Sequence, residues 1–356
     1  MVCNNSVNIF VIGPMSIMKT DIRTTDVNQQ QLMSFAYVFS VTILVLFAVV
    51  SNILSVDTFF RAQIRSTSVG FHLLLYSCCS ISVLLLLEIR LIQLLDSLNY
   101  ESFFSICNVT TPLSNILTRI CLWMNGLIGL QRAFQSFELG FLWNQIRSRV
   151  AGIMLVLVVS ICVSLMHVPE LISRQTLPDP VAAGKLVCQI KYSDKLLVLN
   201  TIFSFIHVFL PVLLNMLANC LILASISRRR ANIHETTYWS QWIRQFHRHA
   251  HLFISPTLTT ICILPQLVLA LLFSCVDINN KWLLRLDASF TMTIYIPQAA
   301  TFFLFILPSR AYFEVFQNQS WIGKHLNRLR RRYTTIVPIT TLNAGTAVKT
   351  RIELLK

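Results

Sequence analysis

Hydrophobic positions along this chain fall in long blocks, and polar positions are crowded into the gaps. Reading for stretches without Asp, Glu, Lys or Arg gives Leu32–Val56, Val69–Leu87, Ser102–Leu130 (interrupted once, by Arg119), Val150–Pro169, Leu196–Ser227, Leu252–Val276 and Ala288–Ser309. A bilayer core of about 30 Å needs roughly 20 apolar residues in a helix. Backbone in lipid must satisfy its own hydrogen bonds, so such runs are expected as helices. The ten-residue alternation of a membrane β-barrel is absent. The pattern predicts an all-α membrane protein, a seven-transmembrane-helix bundle over 32–309. A tail covers 1–31, an amphipathic membrane-surface helix 310–332 and a second tail 333–356.

Composition agrees with that solvent. The 356 residues are 54% hydrophobic and 12% charged, against about 25% charged in soluble domains. The net charge of +14 would suit nucleic acid in a polar chain. In an apolar one it reads as basic loops against anionic membrane lipid. Lysine and arginine also give an orientation. With the amino terminus outside, the inner segments hold 19 of them and the outer segments 8, while Arg90 and Arg119 lie within spans. The amino-terminal tail is therefore expected to be extracellular and the carboxyl-terminal tail cytoplasmic. Pro14 interrupts the mild apolar run near the start, and no cleaved leader is read there. Asn4-Asn5-Ser6 is a glycosylation sequon on the outer side.

Seven helices do not name a function. Intramembrane hydrolysis needs paired aspartates, a Ser/His arrangement or metal ligands in the bilayer, and no aspartate lies inside a run. "HETTY", His234 to Tyr238, lacks the second histidine of a zinc helix. Only His247 and His251 of the alternating histidines share a helix face, so neither a metal, a cofactor nor an enzyme is expected. A transporter usually shows an internal repeat with broken helices in matching places, and no repeat is visible. A ligand-gated channel or transporter remains the alternative to a receptor.

Specific residues then match a family. Cys107 precedes Arg132 by 25 residues, and Arg132 stands in Gln131-Arg132-Ala133. Ser51-Asn52 lies in the first run, Pro211 in the fifth, "CILP" (Cys262 to Pro265) in the sixth, and "LPSRAY" (Leu307 to Tyr312) ends the seventh. In these features the chain resembles the rhodopsin-like (class A) G-protein-coupled receptors, from about Leu32 to Arg332, as a divergent member. The resemblance implies a receptor at the plasma membrane that binds an extracellular ligand, peptide or chemosensory, and activates heterotrimeric G proteins. It implies a Cys107–Cys188 disulfide; Cys3 and Cys275 form a second candidate pair, left open. It assigns switch roles to Gln131, Arg132, Asn219, Pro265, Pro308 and Tyr312.

The departures matter as much. The second run has serines in place of the family's aspartate. Gln131 replaces an acid, Asn219 a tyrosine, Ile263 a tryptophan and Leu307 an asparagine, and Tyr312 arrives one residue late. The amine-receptor aspartate would fall at Ser114, so an amine ligand is not expected. Ligand-pocket candidates are the polar residues in the outer halves of the runs: Glu88, Ser114, Asn115, Arg119, His207, Gln266 and Gln298. An arginine deep in a span must face the bundle and find a partner. For Arg119 the candidate mates are Glu88 and Glu170, with a salt bridge or carbonyl contact favoured over ligand contact.

Overall fold

The computed structural model describes residues 6–8, 14–91, 100–136, 149–178, 186–234, 237–249, 251–272, 275–277 and 280–336. Asn4, Cys3 and the tail beyond 336 lie outside the described residues. The chain is helical almost throughout, and six helices are long and apolar enough to cross a membrane. It is an all-α, multi-pass membrane protein by architecture.

The amino-terminal segment contains a short strand, β1 (Ser6–Asn8), and a helix, α1 (Pro14–Thr24). By sequence this segment is only a tail, with Pro14 as an interruption. Proline instead opens the helix, a position where its missing N–H is no loss. Met15, Ile17, Met18 and Ile22 of α1 are buried in the main core. The first long helix, α2 (Val27–Phe59), has 33 residues and so runs about 50 Å, longer than the apolar run alone. A single turn, α3 (Ala62–Arg65), leads to α4 (Ser68–Leu91). A short α5 (Tyr100–Ser105) and a π-helical turn at Ile106–Thr110 feed α6 (Thr111–Ser136). Next come α7 (Arg149–Met166), α8 (Val168–Ser173) and a hairpin of β2 (Arg174–Pro178) with β3 (Leu186–Ile190). Thr176 pairs with Cys188 in that antiparallel ladder. The longest helix, α9 (Asp194–His234, 41 residues), spans about 60 Å. After it stand α10 (Tyr238–His249) and α11 (His251–Leu272). The strand β4 (Cys275–Asp277) pairs antiparallel with β1, with Asn8 opposite Cys275.

The bundle is apolar outside and polar within. Leu46 and Ile161 are 62% and 59% exposed, whereas Asn52 is fully buried, as are Ser55, Ser77 and Ser80. In water that arrangement would be penalised on both counts; in lipid it is the favourable one.

The last apolar run, expected as one span over Ala288–Ser309, is segmented. It forms α12 (Lys281–Thr293), α13 (Ile296–Ala299) and a π-helical turn at Phe302–Ile306, where the Leu307 N–H reaches back to Phe302 O at 3.0 Å. Asn280 opens α12 by accepting the Leu283 N–H at 3.3 Å, and Pro297 stands in the first turn of α13. Broken backbone needs outside partners, and α2 supplies them. Asn52 Nδ2 donates to Gln298 O at 2.9 Å, and the Phe302 N–H donates to Ser51 Oγ at 3.1 Å. Ser51-Asn52 is thus the patch over an interrupted helix.

The expected single helix over 310–332 is two, α14 (Arg310–Gln319) and α15 (Trp321–Ile336). Ser320 turns extended, with ψ at 147°. Its hydroxyl accepts the Gly323 N–H at 2.9 Å, and Asp57 of α2 accepts the Ile322 N–H at 3.1 Å. These acceptors satisfy the first free donors of α15.

Candidate functional site

One helix, α6, carries polar side chains from end to end through the buried middle of the bundle. At its start Cys107 is joined to Cys188 in a disulfide, which fastens the β2–β3 hairpin over that end. Arg174 opens β2 and ion-pairs with Glu170, one helical turn earlier; its Nη1 also lies 3.4 Å from the Cys188 sulfur. Asn115 Nδ2 donates to Glu170 Oε1 at 2.8 Å.

Around this pair the charge is unbalanced. Arg90, at the end of α4, is 1% exposed. Its Nη1 donates to Ser114 Oγ at 3.4 Å, a second side-chain hydrogen bond joins it to Tyr295, and its Nε has no partner. Arg119 donates to the Ser204 carbonyl of α9 at 3.4 Å. Both guanidiniums lie within electrostatic reach of Glu170 and of Tyr295. Three arginines therefore share one carboxylate. Beyond Arg119, Trp123 Nε1 donates to His207 Nδ1 at 2.9 Å. Tryptophan can only donate, so Nδ1 accepts, and the neutral ring carries its proton on Nε2. That Nε2 has no partner. His167 packs beside this ring at 5.5 Å between centroids. Tyr192, in the link between β3 and α9, is held protonated. Burial first and the nearby Glu170 second push its phenol well above the usual range, and its hydroxyl is also without a partner.

Toward the other end the network is neutral. Asn215 Nδ2 donates to Asn125 Oδ1 at 3.1 Å, and the Ser255 hydroxyl donates to the same oxygen at 3.2 Å. Asn125 Nδ2 donates to Thr259 Oγ1 at 3.2 Å. Asn219 Nδ2 reaches Asn215 Oδ1 at 3.2 Å and Leu252 O at 3.0 Å. Helices α6, α9 and α11 are thereby linked through amides and hydroxyls alone. The absence of a side chain at Gly129 makes room: a Cβ there would collide with Asn215 Oδ1. Gly126 likewise admits the Pro211 carbonyl, which would lie 2.8 Å from a Cβ.

At the far end of α6, Gln131 donates from Nε2 to Ser68 Oγ of α4, and its Oε1 has no partner. The amide is turned to α4 and does not hold its neighbour. Arg132 instead lies over the Phe305 ring at 6.0 Å, the outer limit of a cation–π contact. Phe305 belongs to the second π-helical turn and meets Tyr76 of α4 edge-on at 5.7 Å.

The expected site residues divide accordingly. Asn115 and Arg119 meet Glu170 directly, Ser114 joins through Arg90, and His207 lies near Arg119. Glu88 does not join them, because its Oε1 accepts the Thr42 hydroxyl at 3.0 Å. Gln266 bonds Asp287 at 2.7 Å, tying α11 to α12. Gln298 is buried with both side-chain polar atoms unpartnered. Asn219 is in the neutral network. Pro265 stands inside α11, and the Thr293 hydroxyl donates to the Cys262 carbonyl in the turn before it at 2.7 Å. Pro308 sits in the bend before α14, and Tyr312 meets Phe59 edge-on at 5.8 Å. Of the two candidate mates for Arg119, Glu170 is the one in reach, and the carbonyl contact is to Ser204.

Residues that the sequence analysis does not single out complete both regions: Arg90, Trp123, His167, Arg174 and Tyr192 in one, Asn125, Asn215, Ser255 and Thr259 in the other. Asn215 and Asn219 are four residues apart in an apolar run, a spacing that puts both on one helix face and marks it as inward. Arg90 carries the signal that Arg119 carries, a charge inside an apolar run. No family model and no curated protein matches the chain.

Proposed function

We propose that the chain is a seven-helix receptor of the rhodopsin-like type, standing in the plasma membrane with its amino terminus outside, glycosylated at Asn4. The six long helices together with α12, α13 and the following π-helical turn make up the seven passes. The pair α14–α15 serves as the amphipathic surface helix on the inner leaflet. An extracellular ligand binds at the end closed by the disulfide. Its binding biases the packing of α6, α9 and α11, and the end carrying Arg132 opens toward a heterotrimeric G protein, which performs the nucleotide chemistry.

The observation that carries this reading is the course of α6. One rigid helix joins the disulfide-fastened charged cluster, the neutral network and Arg132, so a shift at one end is felt at the other. Pro211 and Pro265 lie in the two helices bonded to it, where a missing hydrogen bond permits bending. Differential contacts in two arrangements are what a ligand needs in order to shift a population.

The test is nucleotide exchange on purified Gα subunits by the chain in lipid discs. We expect exchange above the empty-disc rate even without ligand, because Gln131 puts no negative charge beside Arg132. Exchange at the blank rate across G-protein classes, accompanied by ion or solute flux in vesicles, would replace this reading by the channel or transporter one.

A further inference from the structure

The cluster around Glu170 is short of negative charge and long on donors. Arg90, Arg119 and Arg174 answer to one carboxylate among the described residues. Of the other described acids in this half, Asp26 and Asp194 are exposed, and three are engaged elsewhere: Glu88 with Thr42, Asp287 with Gln266, and Asp21 with Arg285 and Tyr37. A buried cation without a counter-charge costs several kcal/mol in a low-dielectric interior, and a span tolerates an arginine only where it is paired or solvated. Four donors are also idle: Arg90 Nε, Arg174 Nε, His207 Nε2 and the Tyr192 hydroxyl. Arg90 and His207 are 1% and 2% exposed, and the Arg174 side chain is 4% exposed, so bulk water does not compensate them. They come from α4, the start of β2 and the β3–α9 link, all within electrostatic reach of the Glu170 carboxylate, and from α9, where His207 lies near Arg119.

We infer that this cluster is an anion site, and that the ligand proposed above presents a carboxylate or phosphate to Arg90 and Arg119. The inference rests on the receptor reading for its biological use alone. Guanidinium groups suit such oxygens because their planar donors match them in pairs. Arg174 is already committed to Glu170, which leaves Arg90 and Arg119 with neutral hydrogen bonds but no ion pair among the described residues, the idle His207 donor near Arg119 and the idle Tyr192 donor near Arg174. A soluble acid and the phosphate of a lipid headgroup share this chemistry.

Thermal unfolding of the full chain in lipid discs tests it without any G protein. In phosphatidylcholine discs, benzoate and inorganic phosphate are added at constant ionic strength, with benzamide as the neutral control. A second arm uses phosphatidylglycerol discs with no added anion. At an anion concentration ten times its dissociation constant, the midpoint should rise by about 2–4 °C. Benzamide should leave it unchanged. The rise should disappear in both Arg90→Gln and Arg119→Gln. Arg90→Gln without anion should unfold at a higher temperature than the parent, since it removes a like charge; an arginine serving only packing would give the opposite. A rise confined to the phosphatidylglycerol arm assigns the site to a headgroup, and a rise with benzoate or phosphate assigns it to a soluble acid. No rise in either arm, or a rise kept in both variants or matched by benzamide, overturns the inference. An anion-dependent rise in a chain that drives no nucleotide exchange would leave the site standing and remove the receptor reading.

Discussion

The two ends of α6 solve the problem of buried polarity in opposite ways. Near the disulfide, three arginines gather on Glu170 with donors left over. Around Asn125, three partner side chains from two further helices exchange neutral hydrogen bonds, and the asparagine's amide nitrogen and oxygen are both used. A neutral network bonded in this way, in which Asn219 Oδ1 alone lacks a partner among the described residues, carries no charge to be balanced and fixes helix positions. A charged cluster with a surplus depends on something outside it. The difference marks the first region as one that binds and the second as one that holds.

The sharpest way to break this comparison is to remove the single acid. Glu170→Gln leaves Arg90, Arg119 and Arg174 with no counter-ion among the described residues and strips Asn115 of its charged acceptor. Removing one partner of a buried ion pair costs about 3–5 kcal/mol. We expect a large fall in the unfolding midpoint of the purified chain, partly recovered by benzoate or phosphate. A variant as stable as its parent would mean that the three arginines are not buried against Glu170.

The neutral network should respond more mildly. Asn125→Ala withdraws an acceptor from Asn215 and Ser255 and a donor from Thr259. A buried group left unsatisfied costs about 1–3 kcal/mol. The midpoint should fall by less than in Glu170→Gln, and added anion should restore nothing. Recovery by anion in this variant would dissolve the distinction between the two regions.

The difference between the regions also explains what was legible in the sequence. Hydropathy reports which segments partition into lipid, so the first six apolar runs each correspond to a long helix. It says nothing of azimuth, which decides whether a polar residue joins a cluster. Arg119 and Arg90 carry the same signal, yet the place of Arg90 against Ser114 depends on how α4 and α6 are turned. The amide network asks for three helices in register and is invisible to any one of them. Cys107 and Cys188 were paired through a resemblance, and the hairpin that presents Cys188 is what brings Arg174 to Glu170. The segmentation of the final run is not legible locally, because its broken backbone is satisfied by Ser51 and Asn52, which lie about 250 residues earlier in the chain. Likewise, nothing local to Pro14–Thr24 announces that Asp21 meets Arg285.

The smallest expected effect concerns the junction of α6 with α4. Gln131 gives its N–H to Ser68, close to Gly152, where a Cβ would lie 2.6 Å from Ser68 Oγ and 2.9 Å from Gln131 Nε2. The site is tight, so a side chain of nearly the same shape is the informative change. Gln131→Glu keeps the length and can accept from the Ser68 hydroxyl, and it sets a negative charge beside Arg132. A charge-assisted contact is roughly twice as strong as a neutral one. If it adds about 1 kcal/mol to the resting arrangement, ligand-independent nucleotide exchange should fall about fivefold. Gln131→Met removes the Ser68 bond without adding charge and should leave exchange at or above the parent rate. Equal exchange in the parent and in Gln131→Glu would show that Arg132 is restrained by something other than its neighbour, with the Phe305 ring as the next group to change.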